Sequence, residues 1–240
     1  MFKVILWDID GTLLDFKAAE RAGMKKCFEI FHLGEITDEM IVRYSAINAR
    51  YWERLERGEI TKREVLIGRF EEFFGQEGIE TSVAPAFNDE YQYRLGDTIC
   101  FADHAMETLR YLKLEKGLLQ CAVTNGTKEA QSRKLRRSGL DQIFDYIFIS
   151  DEIGIEKPNK GFFDRVFETL DAGMNLSGKD KISQEEILIV GDSLTSDIRG
   201  GNNAGIRTCW YNPHKKARNH DVRLDWEIID LAQVREIVEQ

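Results

Sequence analysis

The sequence lacks the cysteine pattern of a disulfide-stabilised or zinc-binding protein. Its four cysteines lie far apart and none has C-x-x-C spacing, which predicts reduced, mostly buried thiols. No apolar run approaches the length of a membrane span, and the N-terminus leads directly into a predicted strand without a signal peptide. We therefore expect a cytoplasmic protein.

The chain also lacks an excess of positive charge. Its 33 basic and 42 acidic residues give a formal net charge of −9, which argues against a nucleic-acid backbone as the partner. An acidic protein can still bind a small phosphate ester if a metal and local cations shape the pocket. With 240 residues, 42% of them hydrophobic, the chain can form one large domain or a core domain with an insertion.

Two aspartates stand at the end of the first predicted strand. The run Val4-Ile5-Leu6-Trp7 reads as a buried strand, and Asp8-Ile9-Asp10-Gly11-Thr12 follows it. Residues two apart on a strand point to the same side, so the carboxylates of Asp8 and Asp10 are expected to converge. A hard divalent cation, Mg²⁺, would offset their repulsion. The alternative is an ordinary acidic turn that closes a strand.

The rest of the chain divides into a helical part and an alternating part. Residues 17–93 show only helical periodicity, with about four helices, and N-caps are predicted at Thr37 and Thr61. From Ile99 onward, short apolar strands alternate with helices. The predicted fold is α/β, a Rossmann-like parallel sheet covered by helices on both faces. Residues 1–15 and 96–240 form the core domain, and residues 16–95 form an inserted helical-bundle domain.

Three further predicted strands end in polar residues, at the sheet edge where ligands bind. Thr124 and Asn125 offer a hydroxyl and loop amides to an anion, although Thr-Asn-Gly is also an ordinary turn. Lys157 precedes a proline that fixes the backbone, although a lysine is most often a solvated residue. Asp192 follows Gly191, and Asp197 opens the next helix either as a functional group or as a cap.

Taken in order, the four motifs resemble those of the haloacid dehalogenase (HAD) superfamily of aspartate-nucleophile phosphohydrolases. The resemblance covers nearly the whole chain, and the helical insertion resembles the superfamily's type 1 cap. Within the superfamily the chain is most similar to pyrimidine-type 5′-nucleotidases, in stretches such as Ala46-Ile47-Asn48 and Lys157-Pro158-Asn159-Lys160. It departs at Ala102-Asp103, where that group often has proline-glycine. That difference concerns a turn.

The motif residues predict a phosphatase mechanism. Asp8 is expected to be the nucleophile that forms an aspartyl-phosphate, and Asp10 the acid and base. The metal would be held by Asp8, Asp192 and, as the resemblance implies, the backbone carbonyl of Asp10. Thr124, the Asn125 amide and Lys157 would contact the phosphoryl oxygens. Asp197 would orient Lys157 or complete the metal shell.

Substrate selection is assigned to the helical insertion. Four residues are candidates for contact with a base or ribose: Phe16, Asn48, Trp52 and Arg69. The alternatives are that the aromatic side chains belong to the bundle core, and that Arg69 pairs with Glu71 or Glu72 on a helix surface.

The leading hypothesis is a Mg²⁺-dependent phosphatase acting on nucleoside 5′-monophosphates, with no nucleic-acid or membrane partner. Sugar-phosphate phosphatases and phosphomutases share the same core and form the first alternative. A receiver-type module that accepts phosphate on aspartate is the non-enzymatic alternative. Receiver modules are about half this length, and the second carboxylate would have no leaving group to protonate there.

Overall fold

A six-stranded parallel sheet organises the molecule. The structure is a computed structural model, and it describes residues 1–176, 181–218 and 221–240. The strand order is β3-β2-β1-β4-β5-β6 and every pair is parallel. The strands are β1 (Val4–Trp7), β2 (Leu119–Thr124), β3 (Tyr146–Ile149), β4 (Ile187–Gly191), β5 (Arg207–Tyr211) and β6 (Trp226–Ile228).

Both faces of the sheet are covered, because alternate strand residues belong to different apolar cores. On one face, Ile5 and Trp7 of β1 pack in a cluster with Leu109 and Ile237. On the other face, Val4 and Leu6 pack in a cluster with Phe162, Phe163 and Val166. Strands that are buried on both faces read as continuous apolar runs, which is how the sequence signals a parallel sheet. The predicted fold class is confirmed.

The helices follow the predicted division. Four of them, α1 (Phe16–Ile30), α2 (Asp38–Glu56), α3 (Lys62–Glu77) and α4 (Ala84–Leu95), lie between β1 and β2. The others are α5 (Ala105–Leu114), α6 (Lys128–Ser138), α7 (Ser150–Ile153), α8 (Lys160–Leu176), α9 (Arg199–Ala204) and α10 (Val234–Val238). We call residues 16–95 the cap and the remainder the core; the two boundaries stay predictions.

The cap has an apolar centre of its own, built from aromatic rings. The Phe70 ring centroid lies 5.1 Å from that of Tyr44, 5.0 Å from that of Phe87 and 5.2 Å from that of Tyr91. Thr37 and Thr61 cap α2 and α3 as predicted, and Thr61 completes a capping box with Glu64. Four helices around an aromatic centre therefore form the predicted bundle.

The structure differs from the predicted elements at several places, among them the short helix α7, which was not predicted and separates β3 from Lys157. The short edge strand β6 was not predicted, because three residues are too few to show a period. The sequence pattern predicts a helix over residues 160–170, whereas α8 continues to Leu176. The pattern likewise predicts a helix over residues 196–204, but the helical segment starts earlier, with a π-helical turn over Leu194–Ile198 before α9.

Two further expectations have outcomes. Cys27, Cys121 and Cys209 are buried free thiols as predicted, whereas Cys100 is exposed. Among the described residues, no helix combines the length and the apolar character needed to cross a membrane.

Candidate active site

The carboxylate of Asp8 is fixed at the end of the central strand. The Asp8 backbone N–H donates to the Val190 carbonyl at 3.0 Å, which ties the residue to β4. Its Oδ2 accepts a hydrogen bond from the Thr12 hydroxyl at 3.1 Å. The turn between them depends on Gly11, which has a φ of +93°; a Cβ at this position would lie only 2.9 Å from the Asp192 carboxyl group.

The ammonium group of Lys157 joins three strand ends. Lys157 Nζ donates to Oδ1 of Asp8 at 2.9 Å, to Oδ1 of Asp197 at 2.7 Å and to the Val123 carbonyl at 2.7 Å. The Asn125 side chain holds the Lys157 backbone from both sides, since it accepts from the Lys157 N–H and donates to the Lys157 carbonyl, each at 2.8 Å. The side chain of Asn125 thus positions Lys157, and its backbone N–H is the group left for an anion.

Three carboxylates converge at the same edge. One oxygen atom from each of Asp8, Asp192 and Asp197 lies within 4.8 Å of the others. Asp197 is buried, and its Oδ2 accepts a hydrogen bond from the Ser193 N–H at 3.1 Å. Its other oxygen contacts Lys157. Asp197 is therefore placed for either of its predicted roles, which are to orient Lys157 or to complete the metal shell.

The electrostatics of this cluster fit a bound divalent cation. Burial, the largest cause, holds the pKa of Asp8 well above its ordinary value, although Lys157 lowers it. Burial and the Asp197 carboxylate raise the pKa of Asp192 to about 6. Burial lowers the pKa of Lys157, but the charges of Asp197 and Asp8 outweigh it and hold that pKa above its usual range. The Lys157 ammonium contacts two of the three carboxylates, and the Lys216 ammonium lies 3.7 Å from Asp192. The oxygen atoms of these three carboxylates are the donors that Mg²⁺ prefers.

The side chain of Asp10 is held by α6, apart from that cluster. Gln131 Nε2 donates to Asp10 Oδ2 at 2.6 Å, and the Lys134 ammonium forms an ion pair with Asp10 Oδ1. Both Gln131 and Lys134 are buried. The carboxylate of Asp10 is not among the three that converge, which leaves its backbone carbonyl as the predicted metal contact.

The core motifs open into a cavity of about 200 Å³ that the cap closes from the other side. The core contributes Asp8, Asp10, Thr124, Asn125, Lys157, Asp192 and Asp197 to its lining. The cap contributes Phe16, Trp52, Glu56, Arg69, Gln92 and Leu95. Three of the four predicted cap candidates therefore line the cavity. The fourth, Asn48, does not line it.

Asn48 instead contacts Arg69, which does line the cavity. Arg69 Nη1 donates to Asn48 Oδ1 at 2.7 Å, and Asn48 Nδ2 donates to Glu20 Oε1 at 3.0 Å. Arg69 Nη2 donates to Asn88 Oδ1 at 3.1 Å. The alternative that Arg69 pairs with Glu71 or Glu72 on a helix surface is wrong, because Arg69 is only 1% exposed. Glu72 pairs with Arg50.

Several residues of the site were missed by the sequence analysis. Glu56, the last residue of α2, lines the cavity and accepts a hydrogen bond from the Thr195 hydroxyl. Burial raises the pKa of Glu56 to about 7. Lys62, the first residue of α3, does not line the cavity but lies next to it, where it donates to the Gly126 carbonyl at 3.2 Å and to the Ser150 hydroxyl at 3.0 Å. Their only sequence signal is their position, one at the end of α2 and one at the start of α3.

Comparison with known proteins identifies the family of this chain. The family model for haloacid dehalogenase-like hydrolases matches residues 2–205. The putative HAD-hydrolase YfnB of Bacillus subtilis is 34% identical over 237 residues, which span 99% of this chain and 95% of YfnB. A crystal structure of YfnB bound to magnesium has a TM-score of 0.89 and 33% identity, covering 100% of this chain and 99% of that one.

Two similar proteins carry a named activity. The pyrimidine 5′-nucleotidase PynA of Streptococcus pneumoniae is 33% identical, over 95% of this chain and 91% of PynA. The pyrimidine 5′-nucleotidase YjjG of Escherichia coli is 29% identical, over 98% of this chain and 96% of YjjG. With the family match over most of its length, this chain belongs to the haloacid dehalogenase-like hydrolase family and is a phosphohydrolase.

Proposed function

We propose that this protein is a Mg²⁺-dependent phosphatase that acts on nucleoside 5′-monophosphates through an aspartyl-phosphate on Asp8. The observation that carries the proposal is the contact of the Lys157 ammonium with both Asp8 and Asp197, at the floor of a cavity that the cap covers. A buried carboxylate beside a fixed cation, open to one cavity, suits in-line attack on an anionic phosphoryl group.

The proposed reaction has two steps. In the first, an oxygen of Asp8 forms a bond to phosphorus, the bond from phosphorus to the ester oxygen breaks, and Asp10 gives that oxygen a proton. In the second, water forms a bond to phosphorus, Asp10 takes a proton from it, and the bond from phosphorus to Asp8 breaks. Lys157, Thr124 and the backbone N–H of Asn125 would stabilise the phosphoryl oxygens throughout.

Asp8, Asp192 and the backbone carbonyl of Asp10 are the proposed holders of Mg²⁺, with Asp197 beside them. When bound, the metal offsets the carboxylate charges and polarises a phosphoryl oxygen. The proposed metal site is supported by the cluster of three carboxylates, of which Asp8 and Asp197 are buried and Asp192 is half-buried, and by the likeness to a magnesium-bound structure.

The cap is proposed to recognise the nucleoside. Phe16 and Trp52 offer aromatic surface to a planar base, and the buried guanidinium of Arg69 offers only donors, which suits a ring carbonyl. Pyrimidines carry such a carbonyl. The similarity to PynA and YjjG supports the same substrate class.

A sugar phosphate is the second candidate. A glyceraldehyde 3-phosphate phosphatase of Pyrococcus furiosus is 26% identical over 99% of this chain, so the same core also serves short phosphate esters. The aromatic side chains in the cavity favour the nucleotide.

A phosphate-release panel separates these possibilities. The protein would be assayed with Mg²⁺ against pyrimidine and purine 5′-monophosphates, sugar phosphates and p-nitrophenyl phosphate. We expect kcat/KM to be at least about tenfold higher for pyrimidine nucleotides than for sugar phosphates, which corresponds to one well-formed specific contact. Equal values would contradict the nucleotidase proposal but not the phosphatase. No release from any ester would contradict both.

A further inference from the structure

The carboxylate of Asp10 accepts a hydrogen bond on each of its oxygens from one face of α6. Gln131 contacts Oδ2 at 2.6 Å and Lys134 contacts Oδ1. These two residues are three positions apart, so they project from the same side of the helix. Each carboxylate oxygen has two lone pairs. Helix α6 thus occupies one lone pair on each oxygen and leaves the other free for a transferred proton.

The burial of Lys134 indicates that its ion pair with Asp10 does more than attach α6 to the core. Lys134 is 1% exposed, and its ammonium lies 5.6 Å from the centre of the Phe16 ring. Removing an ammonium from water is costly unless a carboxylate faces it at close range. An ion pair that served only to attach α6 to the core would be less costly at the surface.

The neighbouring loop is shaped to admit Gln131. A methyl group on Gly126 would lie 2.2 Å from Gln131 Nε2, a distance that two such atoms never share. Gly126 directly follows Thr124 and Asn125, so the loop proposed to bind phosphate also leaves space for the amide that holds Asp10. The amide oxygen of Gln131 has no hydrogen-bond partner among the described residues. The contact with Asp10 therefore fixes this side chain.

We propose that Gln131 and Lys134 are positioning residues that orient the Asp10 carboxylate for proton transfer. The proposal rests on the role of Asp10 in the proposed function. The two donors prevent rotation of the carboxylate, so that a free lone pair faces the departing ester oxygen in the first step and the attacking water in the second.

The two steps of the proposed reaction can be tested separately with two esters, because their leaving groups differ in whether they need a proton. p-Nitrophenolate departs without a proton, whereas the alkoxide of a nucleoside needs one. In Lys134→Met, we expect p-nitrophenyl phosphate to give a first-turnover burst within about threefold of the wild-type rate, followed by steady turnover about 10²-fold slower, because only the second step then needs Asp10. With a nucleoside monophosphate, we expect no burst and a steady rate that is also about 10²-fold lower.

Two further variants complete the test. Gln131→Leu removes the second donor without changing charge. We expect the same pattern of burst and steady turnover, with a steady rate about tenfold below that of the wild type. Lys128→Met is the matched control, because Lys128 lies on the same helix, is exposed and pairs with Glu152; its rates should equal those of the wild type. Thermal melts establish that each variant is folded, and if Lys134→Met does not fold, Gln131→Leu decides the question.

Equal reductions of burst and steady rate for both esters, or unchanged rates in both variants, would overturn the positioning role. A wild-type protein that releases phosphate from neither ester would overturn the proposed function instead.

Discussion

The hydroxyl of Thr127 donates a hydrogen bond to Oε1 of Gln92 at 2.9 Å, across the junction of core and cap. Thr127 is the N-cap of α6, and Gln92 belongs to α4. Gln92 Nε2 in turn donates to Asn88 Oδ1 at 3.2 Å, and that oxygen also accepts from Arg69. A continuous buried chain of hydrogen bonds thus runs from the loop after β2 to the guanidinium proposed to read the base.

The first prediction concerns Arg69. Replacement of Arg69 by Met should lower kcat/KM for a pyrimidine nucleotide by roughly 10- to 100-fold, the effect of losing a charged hydrogen bond. The value for p-nitrophenyl phosphate, which has no ring carbonyl to read, should fall much less. Steady-state kinetics on the two esters is the measurement.

The control for Arg69 is Arg50→Met, since Arg50 is half exposed and pairs with Glu72 on the cap surface. This variant should behave as the wild type with both esters. If Arg69→Met lowers kcat/KM by the same factor for both esters, Arg69 supports the cap fold and does not select the substrate.

The second prediction separates the two motif aspartates. Asp8→Asn should eliminate turnover, because the nucleophile is lost. Asp10→Asn should retain substrate binding but slow turnover by about 10²–10⁴-fold, because proton transfer is lost. Mass spectrometry of trapped protein should find the phosphoryl label on Asp8. A label on another residue, or an active Asp8→Asn protein, would refute the assignment.

The third prediction is a requirement for a divalent cation. EDTA should abolish hydrolysis and excess Mg²⁺ should restore it, because the carboxylates of Asp8, Asp192 and Asp197 converge on one site. Mg²⁺ should also raise the melting temperature, since it binds only the folded protein. Asp192→Asn should weaken both effects. Full activity in chelator would contradict the metal assignment.

The fourth prediction is a pH dependence of stability that originates at Glu56. The pKa of Glu56 is about 7 in the folded protein, against an ordinary value of 4.5, chiefly because of burial, with repulsion from Asp197 and Asp192 partly offset by Thr195 and Lys157. The folded state therefore keeps a proton that the unfolded chain loses. In metal-free protein, stability should fall as pH rises from about 4.5 to 7.

Glu56→Gln should remove the contribution of Glu56 to this loss of stability with rising pH. The variant should exceed the wild type at pH 8 by roughly 1–3 kcal/mol in free energy of unfolding, and match it near pH 4.5. Urea unfolding in EDTA at the two pH values is the measurement. Glu53→Gln is the control, since Glu53 lies on the same helix in an exposed pair with Arg57. A Glu56→Gln advantage that is equal at both pH values would disprove the linkage.

The sequence predicted the core of the site because strand ends are a local signal. Asp8, Thr124 and Asp192 each lie at the end of an apolar run, and parallel strands bring such positions to one edge. Lys157 lies in the loop after α7, which follows β3, and precedes a proline. Helical periodicity and N-caps likewise predicted the bundle.

The partners of Asp10 lay beyond that kind of prediction. Gln131 and Lys134 belong to a polar helix more than a hundred positions away, where a lysine is ordinarily a solvated residue. Asn48 was expected in contact with substrate, but a spacing cannot tell which of two neighbouring polar side chains faces the cavity and which lies behind it. Only the packing of α2 against α3 decides that Arg69 is in front.

The central place of β1 has a consequence for how the chain is made. Val4 pairs with Leu119 on one side and with Ile187 on the other. Contacts between such distant residues form late, because closing the long intervening loops costs entropy before any contact compensates for it. Strand β1 therefore gains its second neighbour only after β4, far along the chain, has been synthesised. Asp8 and Asp192 therefore come together only once β1 and β4 have paired, so a chain that ends before β4 lacks the cluster of three carboxylates.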